Sequence, residues 1–491
     1  MNVFDTHIFT QKGVLLMKKN QKNPIQISFM DSPSSENVTG SSVYIKTPNH
    51  DILLDAGFVQ TNDLRKDYQM NTRAFKNFKV KDLDLIFLTH THGDHIFLAP
   101  ALYKNGCTAK TIIPNGSLSM MNIMLENCAS IITRDARYLT RKTGKACPPV
   151  FDNKDIKYFN GFVNQYPIYE KIKIDDELSF RFVPSGHLLK GCQLELYITV
   201  KNVTKKILYT SDLGNPSLRQ TFTEEFVPVE KANYVIAEST YGDRCDLKIN
   251  KTERNNELRM LECLIHEQVM EKRGKILIPS FAQSRTQVIA YLLYDMLHDT
   301  EFNDFIYIDS PLATKVFEAM EKTLVGSEKL KMEELLAWNR LQLIDSYEDS
   351  QEIMKSEEAC IIISSSGMCE HGRVKEYLKY IVPNENASVV LVGYSAEGTL
   401  ANDLRNHNRI EIDHEYHPTH CKVYCLQTLS SHMPYDELVK YYSNITCERI
   451  YLHHGSKHAK ETLKDGLLKE FEKKCKTTAV LITDSKLVIQ I

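Results

Sequence analysis

Hydrophobic and polar positions fall into two textures along the chain. From residue 25 to about residue 212, short apolar runs or alternations end at Gly, Asp or Asn, at 26–29, 42–45, 52–54, 85–88, 194–197 and 207–209. Runs of this length with turn-forming ends predict strands, so this half reads as β-rich. Between residues 274 and 405 the rhythm changes to apolar strand, small-residue loop and amphipathic helix, four times over. Residues 276–278 lead into a helix from about Ser284, 305–308 into 314–324, 360–363 into 372–380, and 389–392 into 399–405. Near-continuous apolar strands alternating with helices predict a parallel sheet with helical cover. After about His420 the first texture returns, at 423–426, 449–452 and 479–482. The economical arrangement is one β-rich domain interrupted by an α/β insertion: residues 1–243, then an inserted domain 244–419, then 420–491 as the second part of the first domain.

Composition narrows the class without naming a reaction. A chain of 491 residues with 42% hydrophobic and 25% charged positions, and no repeat or biased segment, is that of a soluble globular protein of more than one domain. Residues 1–23 carry only the apolar run 13–17 ahead of Lys18 and Lys19, with no cleavage pattern, so no secretory leader is expected. No window approaches a membrane span. The twelve cysteines are scattered; apart from Cys421 and Cys425 in a C-x3-C spacing they form no finger or ribbon pattern, and they read as reduced thiols of a cytoplasmic protein. Net charge is −3, which removes the global basic footprint common among nucleic-acid binders. A polyanionic substrate would have to be held by a local cleft and its metals.

The chemistry concentrates in FLTHTHGDHI, residues 87–96. On an extended chain His90 and His92 point to one side and can reach one ion. Asp94 and His95 follow where a loop hands over to a helix and point elsewhere, so the spacing suggests two adjacent metals. Mixed imidazole and carboxylate ligands suit zinc, with manganese as the alternative. A polar turn with incidental histidines is the competing explanation, and it fits a lone H-x-H better than this denser cluster.

This H-x-H-x-D-H resembles the signature of the metallo-β-lactamase superfamily, whose α/β fold is a four-layer αββα sandwich with metals at one rim. Asp55 in LLDAG matches the early aspartate that supports the ligand loop, His187 in PSGHLLKG the third histidine of the first metal, and Asp212 in LYTSDLG the bridging carboxylate. Glu238 in IAESTYGDR, His432 in LSSHMPYDEL and His454 in YLHHGSKH resemble motifs A, B and C of the β-CASP nucleases, the branch that inserts an α/β cap domain. The resemblance implies two zinc ions, one on His90, His92, His187 and Asp212, the other on Asp94, His95, Asp212 and His454. A carboxylate between two cations holds them roughly 3.5–4 Å apart, and such a pair acidifies a bound water. His454 is preferred to His453 because the family histidine directly precedes Gly.

A histidine at motif C is associated in that branch with RNA substrates. The 3′ oxygen of a phosphodiester leaves poorly unless protonated, so the resemblance makes His432 the general acid, with Glu238 orienting it and favouring its charged form. The inserted stretches IPSFAQSRTQVIAYLL, SSSGMCEHGRVKEYL and VGYSAEGTLANDL resemble β-CASP strand-loop-helix elements, especially those of bacterial and archaeal relatives of the pre-mRNA 3′-end-processing endonuclease. There Arg285 would contact phosphate, Ser365, Ser366 and Gly367 would let a backbone approach closely, and helix N-terminal amides would stabilise charge. The structural alternative has Arg285 bracing an interface and the serines turning the chain. Three departures stand out: Met433-Pro434-Tyr435 precedes Asp436 in motif B, Ser456 replaces a usual Glu after motif C, and Ala401 replaces a common glycine.

The expected activity is zinc-dependent, endonucleolytic hydrolysis of RNA by a metal-bound hydroxide, leaving 5′-phosphate and 3′-hydroxyl. A small-molecule (thio)ester hydrolase, a DNA nuclease and an inactive RNA-binding scaffold are the rivals. The expected partner is single-stranded RNA, with a homodimer left open and no membrane.

Overall fold

The computed structural model describes residues 25–30, 39–61, 63–76, 78–393 and 395–491; the apolar run at 13–17 lies outside the described residues. The chain divides into two compact units. One comprises the described residues up to Pro216, Glu224–Leu247 and His432–Ile491, and the other Ser217–Thr223 and Lys248–Ser431.

The first unit is built on two seven-stranded sheets among the described residues. One runs in the order Val488–Gln490, Gln26–Phe29, Val43–Lys46, Asp51–Leu54, Leu85–Phe87, Lys110–Pro114, Val163–Tyr166. The other runs Ala479–Ile482, Arg449–Leu452, Tyr234–Ala237, Val203–Tyr209, Cys192–Val200, Leu178–Pro184, Ile172–Lys173. Alternate residues of a strand face opposite ways. Phe29, Val43, Ile45, Leu54 and Phe87 therefore meet Phe180, Phe182, Leu194, Leu196 and Ile236 in one buried cluster. From the other face of the first sheet, Tyr44, Leu53, Ile86 and Ile113 pack with Leu102, Tyr103, Met121, Leu125 and Phe159. Those residues belong to Ala99–Lys104, Leu118–Thr143 and Asn153–Asn160. Lys457–Lys473 packs on Ala479–Ile482 and on Tyr435–Asn444 beside the second sheet, completing four layers. The β-rich reading of this half passed over Leu118–Thr143, although its buried Met121, Leu125, Cys128, Ile132, Ala136 and Leu139 recur at helical spacing.

The second unit carries a six-stranded, all-parallel sheet in the order Leu341–Leu343, Phe305–Asp309, Cys360–Ser364, Lys275–Pro279, Ala387–Val392, Lys422–Leu426. Four of these strands lead into the helices expected of them, Arg285–Leu297, Pro311–Thr323, Arg373–Ile381 and Leu400–Asn406. The expected break at 419/420 differs from the structure. Lys422–Leu426 pairs in parallel with Ala387–Val392, with Leu391 opposite Cys425, so the compact unit extends to Ser431. Its apolar edge strand has the same composition as a sandwich strand, and only pairing distinguishes them. At the other end the unit begins at Lys248 rather than 244 and takes in Ser217–Thr223 from upstream. Among the described residues no helix is long and apolar enough to cross a membrane.

Candidate metal centre

The cluster forms where strands of the first unit end at one rim. After Leu85–Phe87 the chain crosses the rim through His90 and His92, and Gly93–Ile96 turns as a short helix that carries Asp94 and His95. The loop after Asp51–Leu54 is laced to this segment by Ala56 N–H donating to His95 O at 2.7 Å and Phe58 N–H to Gly93 O at 3.0 Å, and Ser41 N–H, just ahead of Val43–Lys46, donates to Asp94 O at 2.8 Å. Gly57 is required by this approach, because a Cβ there would lie 1.7 Å from Asp94 O. Asp55, Ser211 and His454 adopt positive φ of 56°, 51° and 44°. Non-glycine residues in that region cost of order 1–3 kcal/mol each and persist where the surroundings over-determine them.

Two sets of potential ligand atoms result, each with its atoms within 4.8 Å of one another: His90, His92, His187 and Asp212, and Asp94, His95 and His454. Asp212 divides its carboxylate between them. Its Oδ2 lies 3.7 Å from His90 Nε2 and 3.6 Å from His187 Nε2, while its Oδ1 lies 3.3 Å from His95 Nε2 and 3.1 Å from His454 Nε2. His187 Nε2 and His92 Nδ1 are 3.3 Å apart, and His454 Nε2 lies 3.7 Å from Asp94 Oδ2. His90 Nε2 is buried with no hydrogen-bond partner, whereas its Nδ1 lies 3.1 Å from Ser211 Oγ. Imidazole nitrogens and carboxylate oxygens converging in this way fit divalent metal ions.

Electrostatics separates the two sets. Burial, reinforced by the neighbouring His95, holds His90 well below the ordinary histidine range, and burial likewise lowers His92. Burial also acts to lower His95 and His454, but Asp212 outweighs it, joined at His95 by Asp55, and both titrate above the ordinary range. Asp212 responds in kind: burial alone would raise it, and His454 and His95 hold it well below the carboxylate range.

His432 is half-buried, with its ring centre 4.5 Å from that of His187 and 5.3 Å from that of Tyr241. Burial lowers it to about 4, against the pull of Asp212. Glu238 is 2% exposed and is pushed up to about 7 by burial and by Asp212. Its oxygens accept Leu213 N–H at 3.1 Å and Thr240 N–H at 2.8 Å, and Leu213 O accepts Met433 N–H at 2.8 Å. Glu238 thus reaches the His432 loop through Leu213, a backbone route that no spacing announces. His453 turns inward, its Nε2 3.1 Å from Ser41 Oγ and its ring 5.6 Å from that of Phe29, while His454 joins the second set.

The departures from the family pattern have local uses. Ser456 caps Lys457–Lys473 by accepting Ala459 N–H at 3.0 Å, and Asp436 sits in the first turn of Tyr435–Asn444, where negative charge is favoured. Ala401 is fully buried.

Within the second unit, Arg285 opens the helix that follows Lys275–Pro279, and Ser365, Ser366 and Gly367 follow the adjacent strand Cys360–Ser364. Ser280 N–H donates to Ser364 O at 2.9 Å, joining the two loops. The helix-end amides expected to be free are in part engaged within the chain: Arg285 N–H donates to Gln283 O, Thr286 N–H to Phe281 O, and Leu400 N–H to Glu370 Oε1 at 2.6 Å. Short loops satisfy their own donors, which a sequence motif does not reveal.

Comparison with known proteins agrees with this architecture. Residues 36–154 match the metallo-beta-lactamase superfamily, residues 286–404 the Beta-Casp domain, and residues 416–478 the Zn-dependent metallo-hydrolase RNA specificity domain. A ribonuclease of Thermus thermophilus is 27% identical over 429 residues, covering 86% of this chain and 91% of the relative. An RNase J-like protein of Methanocaldococcus jannaschii is 28% identical over 426 residues, covering 85% and 90%. Transcription termination factor FttA of the same organism is 25% identical over 452 residues, covering 88% and 67%. A crystal structure of a protein of unknown function from Enterococcus faecalis V583 shares the fold, with a TM-score of 0.52 at 12% identity over 95% of this chain and 100% of that one. The chain belongs to the metallo-β-lactamase superfamily, in its β-CASP branch.

Proposed function

We propose that the protein is a dinuclear, metal-dependent ribonuclease that hydrolyses phosphodiester bonds of single-stranded RNA, endonucleolytically. The observation that carries this is Asp212, one carboxylate whose two oxygens address two separate sets of histidines. His90, His92, His187 and Asp212 would hold one zinc ion, and Asp94, His95, Asp212 and His454 the other, with manganese as the alternative. Cations bound there supply Lewis acidity, neutralising phosphate charge and acidifying a water. The residues do the rest. Asp55 and Ser211 orient His95 and His90, Glu238 fixes the backbone that leads to His432, and His432 delivers a proton to the departing 3′ oxygen. A 5′-phosphate and a 3′-hydroxyl follow from that direction of cleavage.

Support for RNA as substrate comes from the names of the relatives and from the RNA specificity domain matched at residues 416–478. Arg285, Ser365, Ser366 and Gly367 are the proposed phosphate contacts. A homodimer and a cytoplasmic location complete the reading, to be examined by sedimentation and by fractionation. The deciding experiment incubates purified protein and zinc or manganese with internally labelled linear and circular RNA. Cleavage of circles establishes internal entry. Intact RNA alongside cleaved DNA or hydrolysed thioester would overturn the assignment.

A further inference from the structure

Asp55 is fully buried and accepts four hydrogen bonds. His95 Nδ1 lies 2.7 Å and Tyr209 OH 2.8 Å from its Oδ2, Thr89 Oγ1 2.8 Å from the same oxygen, and Thr89 N 2.8 Å from Oδ1. The contact with His95 is the direct support of a ligand. The contact with Thr89 continues further: Thr89 Oγ1 lies 2.6 Å from Ser211 Oγ, and His90 Nδ1 lies 3.1 Å from Ser211 Oγ and 3.4 Å from Thr89 Oγ1.

Counting donors settles the direction of each bond. A carboxylate only accepts, so Thr89 gives it the hydroxyl hydrogen. With that hydrogen spent, Thr89 Oγ1 accepts from Ser211, and Ser211 Oγ, its own hydrogen spent, accepts from His90 Nδ1–H. His90 is thereby held as the tautomer whose Nε2 bears the lone pair. The surroundings are consistent with this, since His90 Nε2 is buried, has no hydrogen-bond partner and faces Asp212 Oδ2 at 3.7 Å. His95, donating from Nδ1 to Asp55, likewise turns an acceptor Nε2 toward Asp212. Tyr209 and Ser211, two residues apart, both lead to Asp55 from one chain segment, and burial keeps the Tyr209 phenol protonated as a donor.

We propose that Asp55 anchors both metal positions, directly through His95 at the second and through a Thr89–Ser211 hydroxyl relay to His90 at the first. Thr89 and Ser211 are then positioning residues for metal binding. The relay couples the two halves of the centre through one buried carboxylate, separate from that of Asp212, whose oxygens face both sets. This rests on the dinuclear reading of the site, and the test keeps the two apart.

The test is a competition titration of the full-length, metal-free protein with zinc and a chromophoric chelator. Two zinc equivalents bound by the wild-type protein support the dinuclear reading; one equivalent overturns that reading whatever the variants do. Outer-shell partners of metal-bound histidines typically contribute about 10–100-fold in affinity. Ser211→Ala and Thr89→Val are expected to weaken one zinc by about that factor and leave the other within about threefold, while Thr89→Ser, which keeps the hydroxyl, retains wild-type affinity. The weakened zinc should be the one lost in His90→Ala. Asp55→Asn is expected to weaken both, and adding Ser211→Ala to it should cause little further loss, since groups acting through one path are not additive. Unchanged affinity in Ser211→Ala and Thr89→Val, or equal loss in Thr89→Ser, overturns the relay. So does a full additive loss in the double variant. Should Asp55→Asn fail to fold, Thr89→Val against Thr89→Ser decides the matter alone.

Discussion

The role of His432 can be isolated by changing the leaving group rather than the enzyme alone. Its ring centre is 4.5 Å from that of His187, so His432→Ala removes both a proton donor and a neighbour of a metal ligand. His432→Phe keeps a ring of similar breadth against His187 and removes only the proton. A general acid contributes about 10²–10⁴-fold, or about 3–5 kcal/mol at 1.36 kcal/mol per decade, when the leaving oxygen is a poor one. Both variants should therefore cleave labelled RNA 10²–10⁴-fold more slowly under single-turnover conditions, yet hydrolyse bis(p-nitrophenyl) phosphate within about threefold of the parent, because nitrophenolate departs without protonation. Burial holds the ring at about 4 in the free protein, so the proton is available at neutral pH only when anionic phosphate raises it. An acid must be protonated to act. The single-turnover rate should thus fall as pH rises through the value in the complex, and that alkaline limb should disappear in His432→Phe. Equal losses on both substrates would refute the general-acid assignment and leave His432 a structural neighbour of His187.

In the metal-free protein His95 and His454 hold protons more tightly than ordinary histidines while His90 and His92 do not, so zinc affinity at the Asp94, His95 and His454 position should rise with pH across neutrality. Affinity at the other position should change little above about pH 6.5; chelator titrations in His90→Ala and His454→Ala separate the two, and flat profiles in both would count against the assignment. Gly57→Ala must push the Asp94 backbone away from a Cβ that would otherwise sit 1.7 Å from its oxygen, so zinc stoichiometry by elemental analysis should fall toward one. In the second unit Asp309 is fully buried and binds Arg373, Ser350 and, at 2.6 Å, Tyr377. Asp309→Ala leaves that largely buried guanidinium without a counter-charge, held only by the carbonyls of Ile344 and Asp345, which should cost about 3–5 kcal/mol in urea unfolding, and Asp309→Asn less.

Much of the candidate site was legible because its residues are neighbours in sequence. In HTHGDH the reach of four side chains is set by a few backbone dihedrals, so spacing alone separates His90 and His92 from Asp94 and His95, and the structure sorts them into the same two sets. The strand-helix alternation of the second unit was legible for a similar reason, since apolar period and loop composition are local. Leu118–Thr143 carried a readable helical period that the β-rich reading passed over.

The remainder is decided by contacts between distant positions. Sequence determined the β-rich and α/β segments and the presence of a metal-type cluster, because these depend on local period and residue chemistry, and the resemblance of its motifs implied the sandwich and the candidates on either side of the insertion. Only the tertiary structure decided that Lys422–Leu426 joins the parallel sheet and that Glu238 reaches the His432 loop through the backbone of Leu213. It also decided that Asp55 reaches His90 through Thr89 and Ser211. A hydroxyl or a carboxylate has no partner until packing supplies one, and the partners here lie up to several hundred residues away along the chain.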